Sequence, residues 1–544
     1  MTTPQQKVRW NDLTQSDKRY IKSIHGIAAS HKEKIEIIQK KYGPIEDRTV
    51  RDWWQRLGVG KDALKVSPDL VEAAKHVIPD DTDILFVTSA QNNTPINKEQ
   101  LANMETYAKF IEEKYNKKVS ISICSVRYRN PTTLLEKETE SESWDKDILK
   151  YLYYDKLYFN DCIISAKSRV QPTAKNPLSG FETIANGNHL ILGHPKYQMK
   201  VLLRPKGDDV HIMSTSGSIT RKNYSDSKVG EHGEVHHVYG FTIIEKSDID
   251  KNRCLIPRFV NCTSDGDFID LNWKIENGKI VSNTTCDALI LGDIHNAQLD
   301  DKLFDKTISI FNQIKPDNVF VHDLTDATSV NPHEVLDMYI KKEKINSGES
   351  DVRKELFNCV SFVENKLTKI PAKHYGVIES NHDVFFDRWV NNFNWKHDLH
   401  NSEAYLMLAG LQQNKGVKYY GNVFGTFLMQ ECSKRGIDKI KYLVYGSNVK
   451  IDNIICSMHG DFGASGAKGS VSSFGRLSMK SYTAHTHSHE VFNGAYCVGC
   501  SCTTKQYYTR KGLTKWSQGH GVIYKNGKRQ QLLFDKNYEI TTLI

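Results

Sequence analysis

The sequence predicts an α/β protein with a helical head, and three observations carry that prediction. Short apolar runs with the character of buried parallel strands alternate with amphipathic helical stretches through the last half of the chain. Five short motifs rich in His, Asp and Asn fall in the same half, four of them directly after such runs. The front of the chain holds three helical segments separated by turn residues.

Residues 1–79 form the head. Ile21–Ala29, His31–Tyr42 and Arg48–Leu57 read as short helices, and Tyr42-Gly43-Pro44 breaks the second from the third. These are helix-turn-helix dimensions. In the third helix Val50, Trp53 or Trp54, and Leu57 would face inward. Arg48, Arg51, Gln55 and Arg56 would then face outward, with the chemistry needed for phosphates and base edges in a major groove. Residues 1–78 carry 15 Lys and Arg against 10 Asp and Glu, so +5 of the chain's +8 net charge sits at the front. That balance favours DNA, whose binding would weaken with salt, over a protein contact or a purely structural helical bundle.

Residues 80–165 read as a small α/β domain: a strand at Asp83–Thr88, an amphipathic helix at Lys98–Tyr115 and a strand at Val119–Ile123. Residues 166–285 read as β-rich, with strand-like pieces such as Leu190–Leu192, Lys200–Leu203 and His237–Ile244 between Gly, Pro, Asn and Asp turns. His232, His236 and His237 lie in this region without an ordered ligand set and read as surface or inter-domain histidines.

Residues 286–544 carry the chemistry. Apolar runs at Ala288–Leu291, Val319–Val321, Tyr375–Ile378 and Ile454–Met458 precede Gly292-Asp293-Ile294-His295, His322-Asp323-Leu324-Thr325-Asp326, Ser380-Asn381-His382-Asp383 and His459-Gly460, and His485-Thr486-His487 follows. Helices are expected at Asp300–Ile314, Pro332–Asn346 and Val352–Leu367. Open α/β sheets hold their sites at the carboxyl ends of the strands, where these motifs fall. Mixed imidazole and carboxylate ligands suit manganese, iron, zinc or nickel better than an all-oxygen set would. Two such ions about 3.5–4 Å apart can clamp the attacking and leaving oxygens of a phosphoryl displacement.

Taken together, Asp293-Ile294-His295, Asp323, Asn381-His382-Asp383, His459 and His485-Thr486-His487 make residues 286–525 resemble the calcineurin-like metallophosphoesterase superfamily, an α/β sandwich. The resemblance implies one divalent ion on Asp293, His295, Asp323 and His487. It implies a second on Asp323 as bridge, Asn381, His459 and His485. It leaves His382 for catalysis, stabilising the transition state or protonating the leaving oxygen, with Asp383 orienting it. Manganese is the first choice of metal, with iron, zinc, nickel and magnesium as alternatives. His322, Ser380 and Ala484 stand where the family carries glycine. The bulky His322 either touches substrate or packs on the sheet edge bonded to a backbone carbonyl. His489 and Asp461 are further near-site candidates.

A metallophosphoesterase region behind a long amino-terminal extension resembles the early host-DNA-degrading proteins of large coliphages and, more distantly, SbcD-type nucleases; the latter place the catalytic domain first, and that reversed order counts against SbcD-like biology here. The implied function is a divalent-metal-dependent DNA nuclease hydrolysing phosphodiester bonds. The rival readings are a phosphatase or nucleotidase acting on monoesters, and a DNA-binding regulator with a vestigial metal site. The 11 scattered cysteines read as buried thiols of a cytoplasmic protein, in the host cytoplasm if phage-encoded, and Cys497, Cys500 and Cys502 read as part of a turn and not as a zinc site. No apolar run suits a membrane span, and a homo-oligomer is compatible with the sequence.

Overall fold

The computed structural model describes residues 76–128, 143–166 and 168–544 apart from 169, 282–283, 335–336, 393–394, 415–417 and 505–511. Of the first 75 residues it describes 13–14, 17–18, 21, 31–43, 45–56 and 73. The chain divides into two units, Met1–Val71 with Thr139–Ser143, and Glu72–Glu138 with Trp144–Ile544.

In the first unit, helices span His31–Tyr42 and Asp47–Arg56. Apart from Ile21, the expected helix at Ile21–Ala29 lies outside the described residues, as does Leu57. Ile35, Ile38, Val50, Trp53 and Trp54 share one core, and Trp54 Nε1 donates to the Ile21 carbonyl at 3.0 Å. One tryptophan was expected to face inward, yet both are buried, because positions i, i+3 and i+4 from Val50 lie on one helical face. Arg48, Arg51 and Arg56 are exposed, and Arg56 Nε pairs with Asp52 at 2.8 Å. The side chain of Gln55 lies outside the described residues.

The second unit is mixed α/β with several sheets. A six-stranded sheet runs in the order Ile440–Leu443, His374–Ile378, Pro316–Val321, Cys286–Ile290, Gly519–Tyr524, Arg529–Leu533. The first four strands are mutually parallel and the last two form an antiparallel hairpin beside them. Helices Asp301–Ile314, Val352–Asn365 and Val423–Lys434 accompany this sheet. Asp300 and Asp351 cap the first two by accepting the N–H groups of Leu303 and Lys354. The third expected helix, Pro332–Asn346, is shorter, at Met338–Ser347, where Asp337 caps it.

A ten-stranded sheet packs against the six-stranded one. Ala288, Ile290, Phe320, Ile378 and Ile523 of the first sheet share a core with Met199, Ile212, Ile454, Tyr482 and Tyr496 of the second. The apolar run at Ile454–Met458 was expected beside the other three in one parallel sheet. Only Ile454–Ile455 is strand, and it pairs with Lys480–Thr483 in the ten-stranded sheet. A run of apolar residues marks burial, which either layer of a sandwich satisfies.

Sheet pairing crosses the expected boundaries at residues 165 and 285. Met199–Val201 pairs with Glu490–Phe492, so strands from the middle region and the last third share the ten-stranded sheet. In the same way Ile84–Gln91 pairs in parallel with Val119–Val126 and antiparallel with Gly240–Glu245. His237 of the middle region holds Tyr224 Oη at 2.8 Å and the Thr220 carbonyl at 3.0 Å, a structural role. Among the described residues no helix is long and apolar enough to cross a membrane.

Candidate metal centre

The centre lies where loops from the two packed sheets meet. Asp293 follows the strand Cys286–Ile290, Asp323 follows Pro316–Val321, and Asn381 and His382 follow His374–Ile378. From the ten-stranded sheet, His459 follows Ile454–Ile455, and His485 and His487 follow Lys480–Thr483. His295, Asp323, His485 and His487 all have left-handed backbones, with φ of 45°, 47°, 71° and 54°. Non-glycine residues rarely adopt that region outside turns and constrained sites.

The first loop is held tightly. Gly292 donates its N–H to His520 Nδ1 at 3.2 Å, and His520 in turn holds Thr307 Oγ1 at 2.8 Å. A Cβ on Gly292 would come within 2.7 Å of the Gly519 carbonyl oxygen and 2.8 Å of that of Gly499. Glycine is required here because two backbones press on it.

The side chains then converge at metal-ligand spacing. Two ligand atoms each about 2.0–2.1 Å from one ion sit about 3.3–3.4 Å apart in a tetrahedron. His487 Nε2 lies 3.3 Å from Asp293 Oδ2, and His295 Nε2 lies 3.4 Å from Asp323 Oδ2 and 2.9 Å from His487 Nε2. His459 Nε2 is 3.5 Å from Asp323 Oδ2, and its Nδ1 is 3.8 Å from Asp293 Oδ1. Asp293, His295, Asp323 and His487 thus form one group able to hold an ion, and Asp293 also belongs to a second group with His322 and His459.

Whether these residues suit cations is tested by what else they bond. Both Asp293 oxygens, Asp323 Oδ1, Asn381 Oδ1, both His459 nitrogens and both His322 nitrogens are buried and make no hydrogen bond. Buried polar atoms are otherwise paired. A concentration of unpaired oxygen and nitrogen lone pairs facing one another fits divalent cations. The electrostatics agree. At His295 burial alone would lower the pKa, but Asp326, Asp323 and Asp293 outweigh it and hold it at about 10. At His459 burial is likewise outweighed by Asp323 and Asp293, giving about 9. Burial and the neighbouring Asp323 raise Asp293 to about 7, although His459 and His295 oppose them. The buried carboxylates therefore favour positive charge beside them.

Asp326, which sequence reasoning left without a role, organises two histidines. Its Oδ1 lies 2.8 Å from His295 Nδ1, an ion-pair contact on the side of the ring away from the Nε2 that faces Asp323 and His487. Its backbone oxygen accepts from His382 Nδ1 at 2.8 Å. The signal was present in the motif His322–Asp326, but no spacing rule marks an outer carboxylate. Asp326→Asn should weaken metal binding by about 10–100-fold, the usual cost of losing such a partner, while leaving the His382 bond intact. A calorimetric metal titration with unchanged affinity would disprove the role.

The remaining candidates separate clearly. His382 is one-fifth exposed, stacks on Phe385 with ring centroids 5.2 Å apart, and has Nε2 4.0 Å from Asp323 Oδ2. Asp383, expected to orient His382, instead accepts the Ser380 N–H at 3.0 Å and the Tyr442 hydroxyl at 2.6 Å. It shapes the turn that presents Asn381 and His382. His485 is half-buried with its ring 5.1 Å from that of His459, so it stands at the rim. His322 is fully buried, and neither nitrogen makes the backbone bond expected of a packed histidine. Its burial also takes it away from substrate. His489 is structural, its Nδ1 2.8 Å from Ser517 Oγ and its Nε2 accepting the Gly499 N–H. Asp461 accepts the Tyr445 hydroxyl. The thiols of Cys497 and Cys500 donate to carbonyls.

No protein-family model matches the chain. Over 470 residues it is 28% identical to Protein A1 of Escherichia phage T5, covering 82% of this chain and 81% of that protein. This similarity supports a phage-related protein. Among solved structures, a chitobiase from Flavobacterium johnsoniae aligns over 76% of this chain and 57% of its own, at 9% identity and a TM-score of 0.20, which carries no argument about fold.

Proposed function

We propose that the chain is a divalent-metal-dependent nuclease that hydrolyses phosphodiester bonds in DNA, as a phage protein acting on host DNA. The observation that carries the reading is the pair of adjoining ligand groups that share Asp293 and flank Asp323, with buried lone pairs left unpaired. A binding module has no need of such an arrangement. The phage relative fits the setting, and the exposed Arg48, Arg51 and Arg56 on one helix fit a polyanionic partner.

Asp293, His295, Asp323 and His487 would hold one ion, and Asp323, Asn381, His459 and His485 the other. When bound, two such ions neutralise phosphate oxygens and make water nucleophilic at neutral pH. The chain's own residues do the rest. Because His382 Nδ1 donates to the Asp326 carbonyl, any further proton resides on Nε2, which faces Asp323 and the centre. From there it reaches the leaving oxygen of a strand laid across the rim. The Phe385 ring keeps the imidazole in that orientation.

The test compares linear and circular duplex DNA, single-stranded DNA and a chromogenic phosphate monoester, each with manganese, magnesium or chelator. DNA cleavage that needs manganese and vanishes in Asp293→Ala is the expected result. Monoester turnover with intact DNA would replace the nuclease by a phosphatase.

A further inference from the structure

The second ligand group contains a residue for which the family resemblance supplies no role. His322 follows the strand Pro316–Val321 directly, and its carbonyl accepts the Ile294 N–H at 3.0 Å, which fixes its backbone between the first two ligand loops. The ring is fully buried, with 5.8 Å between its centroid and that of His459 and an interplanar angle of 32°. One of its nitrogens lies within 4.8 Å of ligand atoms on both Asp293 and His459. Neither nitrogen has a hydrogen-bond partner. A buried imidazole without partners is costly, and a cation between it, Asp293 and His459 removes that cost. His485, by contrast, is half-buried and joins no such group among the described residues.

We infer that His322 is a further nitrogen ligand of the second cation beside His459, with Asp293 of the first ligand group adjoining it, and that it biases that position towards metals that favour nitrogen. This rests on the metal-centre reading above. Imidazole raises affinity most for cobalt, nickel and zinc and least for manganese and magnesium, whose preference is for oxygen. The glycine that the family pattern has here would leave a site poorer in nitrogen and more open to manganese and magnesium.

The experiment titrates the metal-free full chain with cobalt and, separately, with manganese, following stoichiometry and affinity calorimetrically. Wild type, His322→Gly, His322→Gln and Asp323→Ala are compared, with folding checked by circular dichroism. In the histidine variants the first cobalt should bind as in wild type and the second about 100-fold or more weakly, since loss of a ligand exceeds the 10–100-fold cost of an outer partner. Manganese should weaken less, so the cobalt-to-manganese preference of the second position falls. The glutamine variant preserves the bulk should glycine unsettle the sheet. Wild-type cobalt affinity at both positions in a folded His322 variant, with binding lost in Asp323→Ala, would overturn this inference alone. Binding retained in Asp323→Ala would overturn the metal centre itself.

Discussion

Asp323→Ala is expected to lose both ions and all detectable DNA cleavage, the largest effect of any single substitution. Its Oδ2 lies 3.4 Å from His295 Nε2, 3.5 Å from His459 Nε2 and 4.0 Å from His382 Nε2, so one carboxylate faces both ligand groups and the candidate acid. Burial would raise its pKa, yet His382, His459 and His295 hold it well below the ordinary carboxylate range, so it is ionised. Removing it leaves two buried imidazoles with less negative charge to balance a cation and strips a shared ligand from each ion. Elemental analysis and cleavage assays on the same preparation check this. Two ions bound with wild-type cleavage would refute the bridging role, and Asp323→Asn, which keeps the shape but not the charge, separates electrostatics from packing.

His382→Ala should show the opposite pattern, with both ions retained and turnover on DNA reduced by about 10²–10⁴-fold, the usual span for a general acid. The ring's exposure and its anchor on the Asp326 carbonyl make it accessible to substrate without being part of either ligand group about Asp293. The substrate can report which task it performs. A phosphodiester with a nitrophenolate leaving group needs no proton to depart, so if His382 donates one, the loss on that substrate should be much smaller than on DNA. Equal losses would assign it to stabilising charge instead. Cleavage at the wild-type rate would remove it from catalysis.

The candidate metal centre was more legible in the sequence than the architecture that carries it. Ligand residue types must follow strands, and strands are apolar, so Asp293, Asp323, Asn381 and His459 announced themselves by order and context. The structure assembles Asp293, His295, Asp323 and His487 as one group. What stayed hidden depends on the partner and not on the residue. Ile454–Ile455 belongs to the other sheet, and Met199–Val201 finds Glu490–Phe492 nearly three hundred residues away, which no periodicity encodes. Asp326 and Asp383 illustrate the same limit at the site. Each is an acid within a histidine-bearing motif, but only three dimensions reveal that Asp326 serves His295 and His382 while Asp383 serves Ser380 and Tyr442.

The strand Gly519–Tyr524 sets a clock on synthesis. It lies beside Cys286–Ile290, and its own His520 holds the N–H of Gly292, so the loop that presents Asp293 is not braced until synthesis has passed His520. At the usual translation rate of about 5–20 residues per second, the interval from Asp293 to Tyr524 occupies roughly 10–50 s. During that time the early ligands exist on a growing polypeptide whose sheet lacks its closing hairpin. Any reactivity of the candidate centre therefore waits for that strand, and a nascent chain that stops short of it is expected to be inert.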